Sequence, residues 1–284
     1  MLRDIDALTS STLKHLREQW WDDAFTGFLE ETLRPKPGKR ILDVGSGSGT
    51  AEASLARLRM SQVQLFGVDL IIDRIKTAKA TISGMNARAS YAAADACHLP
   101  FADESFDSTF CVAVLQHIRD VASALAEFAR VTRPGGRIVA VEPDNMSVYW
   151  FSSAPAGNEA FELGRTFFAA TAAARGDGGD PRLGPNLPGL FSTAGIDPVS
   201  MHLFPVSKTR LGAPPASVWD SRRRQVTTAI DAAGDDGVKR HGAAYLQKID
   251  EYAAQAQSAG DAFVEIQNTM LFATVGQRTE AANG

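Results

Sequence analysis

The residues best placed by type and spacing to do chemistry lie between positions 41 and 142. Ile41-Leu42-Asp43-Val44-Gly45-Ser46-Gly47-Ser48-Gly49-Thr50 reads as an apolar strand, a turn of alternating glycines and the start of a helix. Glycines there permit a tight turn and let a ligand approach the backbone. Asp43, two residues before the first glycine, would repel the pyrophosphate that dinucleotide folds place at a helix N-terminus. It suits a ligand with positive charge and no phosphate. The dinucleotide fingerprint wants its third glycine at position 50, which is Thr50 here. A Walker-type loop is excluded because no Gly-Lys-Ser/Thr follows. Asp69 ends Phe66-Gly67-Val68-Asp69, where an acid can accept both hydroxyls of a ribose. Asp95, in Ala93-Ala94-Asp95-Ala96, can accept a hydrogen bond from an adenine amino group. Each Asp alone reads as a cap or turn residue. Three acids closing successive strands at one sheet edge read as a binding crevice.

Candidates for moving a proton are His117 and Glu142. His117 follows the fourth strand in Leu115-Gln116-His117-Ile118, and reads either as a base or as a helix-start residue bonded to backbone. Glu142, before Pro143, either orients a substrate or caps a turn. His15, His202 and His241 read as packing or solvent-facing residues. Trp20, Trp21, Phe25 and Phe28 form an aromatic stripe at helical spacing, a pattern that favours core over pocket. Tyr149, Trp150 and Phe151 could wall a pocket, and an insertion with Trp219, Tyr245 and Tyr252 could roof one, which suits a moderately large, partly apolar substrate. Cys97 and Cys111 have no metal-type spacing and read as structural.

The elements that must position these residues alternate. Residues 11–33 read as an amphipathic helix or helix pair, with Leu13, Leu16, Trp20 and Phe28 near helical spacing and Ser10 or Ser11 as cap. Arg34-Pro35-Lys36-Pro37-Gly38 ends it. Strands follow at 40–44, 64–68, 89–94, 106–114 and 137–141. Between them lie helices at about 50–58, on a face marked by Ile71, Ile75, Ala78 and Ile82, and after Asp120. This alternation implies right-handed crossovers and a mostly parallel, doubly wound α/β sheet. The second half reads as a helix around 159–174, a Gly- and Pro-rich loop at 176–188, strands at 199–204 and 270–275, and a mostly helical insertion between those strands. The domain reading is an N-terminal helical lid at 1–38, one α/β domain at 39–278 with insertions at about 147–190 and 206–265, and a disordered tail at 279–284.

The chain has 284 residues, 44% hydrophobic and 22% charged, with a net charge of −4. That is an ordinary globular composition. It carries no electrostatic footprint for nucleic acid, and Arg222-Arg223-Arg224 is too short a basic run to argue for one. No apolar run approaches the length of a membrane helix. No basic-then-apolar leader opens the chain. The expectations are no nucleic acid, no membrane, a cytoplasmic location and a possible homodimer.

From about Lys39 to Asp144 the sequence resembles the class I S-adenosylmethionine-dependent methyltransferases. It is most similar to the small-molecule group that includes the ubiquinone- and menaquinone-biosynthesis enzymes. Leu42–Gly49 matches the family's first motif, and Gly67-Val68-Asp69-Leu70 its second-strand acid motif. Asp95-Ala96 with Leu99-Pro100-Phe101 and Ser105-Phe106-Asp107 matches the approach to strand four, and Arg133-Pro134-Gly135-Gly136 the turn before strand five. The resemblance implies a seven-stranded Rossmann-like sheet with an antiparallel last strand. It implies S-adenosyl-L-methionine as cofactor, and a methyl group moved to O, N or C of a small acceptor, in keeping with secondary metabolism. By it, Asp43, Gly45, Ser46 and Gly47 line the methionine part, Asp69 and Leu70 hold the ribose, and Asp95 and Ala96 hold the adenine. Val112, Ala113 and His117 face the sulfur. Amino-directed base and glutamine methyltransferases carry Asn/Asp-Pro-Pro-Tyr/Phe after strand four, where this chain has Cys111-Val112-Ala113-Val114. A protein or nucleic-acid acceptor, and a non-catalytic cofactor-binding partner protein, stand as the alternatives.

Overall fold

The structure is a computed structural model that describes residues 20–57, 63–85, 88–145, 147–175, 180 and 182–279. Its elements, in chain order, are α1 (Asp23–Leu33), β1 (Arg40–Val44), α2 (Thr50–Arg57), β2 (Gln64–Asp69), α3 (Ile72–Ile82), β3 (Arg88–Ala93), β4 (Phe106–Val112), α4 (Val121–Val131), β5 (Thr132–Pro143), β6 (Tyr149–Ser152), α5 (Pro155–Arg175), α6 (Leu183–Thr193), β7 (Ile196–Leu211), α7 (Ala216–Ala232), α8 (Asp236–Ala259) and β8 (Val264–Arg278). The chain divides into two compact units, one of Glu18–Met146, Gly179–Phe204 and Met270–Gly284, the other containing Ser147–Gly178 and Pro205–Thr269. Among the described residues no helix is long and apolar enough to cross a membrane.

The first unit carries the crossovers that the sequence calls for. Strand order is β3-β2-β1-β4-β5-β8, parallel from β3 through β5. β8 closes the series antiparallel, from Arg137 opposite Gln277 to Pro143 opposite Leu271. The chain leaves β1 in one direction for β2 and returns to its other side for β4. The carboxyl ends of β1 and β4 therefore flank a topological switch point, where sheets of this kind hold ligands. β1 and β4 are nearly all buried, as the central strands of a parallel sheet covered on both faces are.

Local sequence sets the helices that aim the loops. Asp120 caps α4 by accepting from Ser123 N at 2.9 Å, and Ala124, Leu125, Phe128 and Val131 bury one face of it. From its polar side Glu127 accepts from Leu99 N at 2.7 Å, while Arg130 donates to Leu99 O at 3.1 Å and Phe101 O at 2.8 Å. That clamp fixes the loop after β3. Asp22 caps α1 through Phe25 N at 2.8 Å, and Arg34, at φ 48°, ends it. Leu13, Leu16, His15 and the expected serine caps lie outside the described residues. Of the aromatic stripe, Phe25 and Phe28 pack on Phe204 of β7 at centroid distances of 5.2 and 5.0 Å.

Three expectations change. Among the described residues the sheet has eight strands rather than seven, because Tyr149–Ser152 forms β6 and pairs with the start of β8. The stretch expected as loop to Pro188 folds into α6, with Leu183, Leu187 and Phe191 buried at helical spacing. Pro185 sits in the first turn, where its missing N–H costs nothing, and burial outweighs the one rung lost at Pro188. The two late strands are longer than the apolar runs that announced them, since polar residues continue each ladder.

In the second unit, α5 and α8 pack with α7 around Phe167, Trp219, Ile249, Tyr252 and Phe263, all buried. Gly164 brings α5 close to α8, since a Cβ there would lie 2.9 Å from Tyr245 Cζ.

Candidate active site

Asp43 is the fourth residue of β1, flanked in register by Gly67 of β2 and Phe110 of β4, and is buried. Beyond it the chain turns through Gly45, Gly47 and Gly49, with φ of 79°, 55° and 80°. Gly45 N and Ser46 N donate to Val68 O at 2.7 and 2.9 Å, which ties the turn to β2. A Cβ on Gly45 would collide with Val114 beyond β4, and one on Gly49 would lie 3.0 Å from Ala78 Cα of α3. Both positions therefore require glycine for space as well as for φ. Ser46 Oγ is buried with no hydrogen-bond partner, a hydroxyl left for a ligand.

Asp69 joins this turn. Its Oδ2 accepts from Gly47 N at 3.0 Å and its Oδ1 from Ile71 N at 2.9 Å, with Arg74 at 3.9 Å. Leu70 beside it is half exposed. Asp95 folds its own loop by accepting from Cys97 N at 2.9 Å, and its side chain is half exposed. Ala96 packs against the core beside it. The three strand-end acids thus surround one left-handed glycine turn on adjacent strands.

The segment after β4 completes the edge. Ala113 sits at φ 55°, a left-handed conformation unusual for alanine, and its N–H donates to Val141 O at 2.8 Å. Glu142 is fully buried. Its Oε1 accepts from Val114 N at 2.8 Å and Leu115 N at 2.7 Å, and its Oε2 from Gln116 N at 3.4 Å. Three backbone amides thus hold the Glu142 carboxylate, an arrangement that positions the segment after β4. It fixes the single 3₁₀ turn Leu115–His117. His117 is exposed at the end of that turn, its backbone N donating to Val114 O at 3.0 Å.

Sequence reading missed Glu52. It lies in the first turn of α2, where an acid ordinarily reads as a solvated partner of the helix dipole. Here it is buried, neither carboxylate oxygen has a partner, and burial pushes it up to about 8. The signal was Gly67, a lone glycine inside a strand, which marks close approach. A Cβ there would meet Glu52 Oε1 at 2.5 Å and the Tyr91 ring at 2.6 Å. Asp43 is raised well above the usual carboxylate range by its own burial, then by Glu52 and Asp69. Burial, then Glu52 and Asp43, also raise the Tyr91 hydroxyl.

The donor set decides what fits. Acids end the strands beside the turn, and Arg74 stands 3.9 Å from Asp69. A phosphate would meet carboxylates; a ligand with a cationic end and hydroxyls would meet its complement. The doubly wound sheet with these acids at its switch point resembles that of the class I methyltransferases. Residues 42–140 match the family model described as the Methyltransferase domain. The chain is 37% identical over 108 residues to an O-methyltransferase of Pyrenophora dematioidea, covering 37% of this chain and 40% of that one. It is 34% identical over 135 residues to the demethylmenaquinone methyltransferase of Corynebacterium kroppenstedtii, covering 48% of this chain and 53% of that one. The chain thus spans about half or less of these relatives' lengths. The fold is shared with phosphoethanolamine N-methyltransferase 2 of Haemonchus contortus in complex with S-adenosyl-L-methionine, at a TM-score of 0.54 and 17% identity over 99% of this chain and 60% of that one.

Proposed function

We propose that the protein is an S-adenosylmethionine-dependent methyltransferase that moves a methyl group to an O, N or C atom of a small, partly apolar molecule. The observation that carries this reading is the ring of Asp43, Asp69 and Asp95 at the ends of adjacent strands around a left-handed glycine turn. Asp43 and Ser46 would take the amino-acid part of the cofactor, with Gly45 and Gly47 giving it access to the backbone. Asp69 with Leu70 would take the ribose, and Asp95 with Ala96 the adenine. Val112, Ala113 and His117 would border the sulfur.

When bound, the cofactor supplies a methyl group already activated on a sulfonium. The chain's own contribution is alignment, which can be worth roughly 7–11 kcal/mol. Glu142 holds the turn that presents His117, and His117 accepts a proton where the acceptor must lose one. A net charge of −4 and the absence of a basic run at the site support a small molecule over nucleic acid.

The test incubates the purified protein with methyl-labelled S-adenosylmethionine and a cell extract split into small-molecule, protein and nucleic-acid fractions. Label in the small-molecule fraction, reduced by Asp95→Ala, is expected. Label in a macromolecular fraction refutes the acceptor class. Cofactor binding without label in any fraction favours a binding protein over an enzyme.

A further inference from the structure

The second unit holds a concentration of positive charge that its own acids do not neutralise. Along β7 the residues alternate, with Val206, Lys208 and Arg210 half-buried and Ser207, Thr209 and Leu211 exposed. This puts Lys208 and Arg210 on one inward face, two residues apart. Arg222 of α7 reaches the same place, its guanidinium 4.9 Å over the Trp219 ring and 5.7 Å over Tyr252. One carboxylate pairs with two of the three cations. Glu265 of β8 is buried and lies 2.7 Å from Arg222 and 3.1 Å from Arg210. Its remaining capacity is taken by the Tyr252 hydroxyl, which donates to Oε2 at 2.7 Å.

Donors are then left over. Arg210 Nε is buried 3.1 Å from Glu265 Oε1, an ion pair whose alignment falls short of a hydrogen bond. Among the described residues no acid lies within ion-pair distance of Lys208, and burial together with Arg210 and Arg222 lowers its amine. Trp150 of β6 is paired with Gln267, two residues along β8 from Glu265, so it shares that face of the sheet. Its Nε1 is buried and also lacks an acceptor. Its ring is held by stacking on Phe161 at 5.0 Å. Unsatisfied buried donors cost free energy, and a cluster of them with surplus positive charge is what an oxyanion repays.

We propose that Lys208, Arg210 and Trp150 Nε1 form a binding site for the carboxylate or phosphate group of a small organic anion, with Arg222 and Glu265 as the fixed floor that orients Arg210. The assignment stands on this unit alone and does not depend on the methyl-transfer reading.

The test is calorimetric titration of the full chain at low ionic strength with inorganic phosphate and, separately, with octanoate, against chloride at matched ionic strength. Saturable binding of one probe is expected, weakened about tenfold or more in Lys208→Met, because a charge-assisted bond is lost. Preference between the probes tells a phosphate ligand from a carboxylate one. Thermal unfolding gives a second readout. Ligand-free Lys208→Met should melt at or above the wild type, since a half-buried cation facing two others is gone, and the probe should stabilise the wild type only. Failure of both probes to saturate overturns the proposal, as does equal binding by the variant. If Lys208→Met fails to fold, Lys208→Gln carries the same comparison.

Discussion

Glu52→Gln offers a direct test of the buried acids beside the glycine turn. In the folded protein Glu52 keeps its proton until about pH 8, because burial disfavours the charge and neither oxygen has a partner. In the unfolded chain it ionises near its ordinary 4.5. Between those values the unfolded state binds fewer protons, so stability falls as pH rises, is undiminished below about 4.5 and stops falling above about 8. At pH 7 the loss is on the order of 3 kcal/mol, and it approaches about 5 kcal/mol above pH 8. Glutamine has the same shape and does not titrate. Asp43 titrates in both proteins but is raised less without Glu52, which shifts the comparison in the same sense. The assay is urea denaturation of the cofactor-free protein and of Glu52→Gln, followed by far-UV circular dichroism from pH 5 to pH 8. The variant should gain on the wild type by about 3 kcal/mol across that range. Curves that stay parallel to within about 0.5 kcal/mol would refute the reasoning, since Glu52 would then ionise alike in both states. A cationic ligand beside Asp43 favours the ionised acids, so cofactor binding near pH 7 should release protons, readable as a buffer-dependent heat.

Two further outcomes follow from the same edge of the sheet. Gly45→Ala places a methyl group into Val114 at a left-handed φ of 79°, and should cost about 2–4 kcal/mol of stability and abolish detectable cofactor binding by calorimetry. Glu142→Gln keeps one acceptor oxygen but loses the charge that holds three amides. It should lower kcat by about tenfold or more with less change in cofactor Kd and, for a positioning role, an unchanged limb of the pH–rate profile, because it moves the turn bearing His117. A shifted limb would return Glu142 to acid–base duty.

The sequence by itself determined the alternating elements of the first unit, the glycine turn and the acids at Asp43, Asp69 and Asp95. All of these are local signals. Strand periodicity, glycine spacing and a cap such as Asp120 act over a few residues, and the order of strands follows from right-handed crossovers. Tertiary structure decided what depends on partners distant in the chain. Glu142 became the anchor of the Leu115–His117 turn only when β5 lay beside β4. Glu52 became a buried acid only when α2 met Gly67 of β2 and Tyr91 of β3. Pro188 stayed inside α6 because Leu187 and Phe191 are buried in the core. Lys208 and Arg210 fall in a stretch that reads as the start of a mostly helical insertion, and the structure puts them on β7, where Glu265 closes on Arg210. A carboxylate or a guanidinium has no fixed role in sequence. Its charge state and its work are set by which donors, acids and apolar walls the fold brings within a few ångströms.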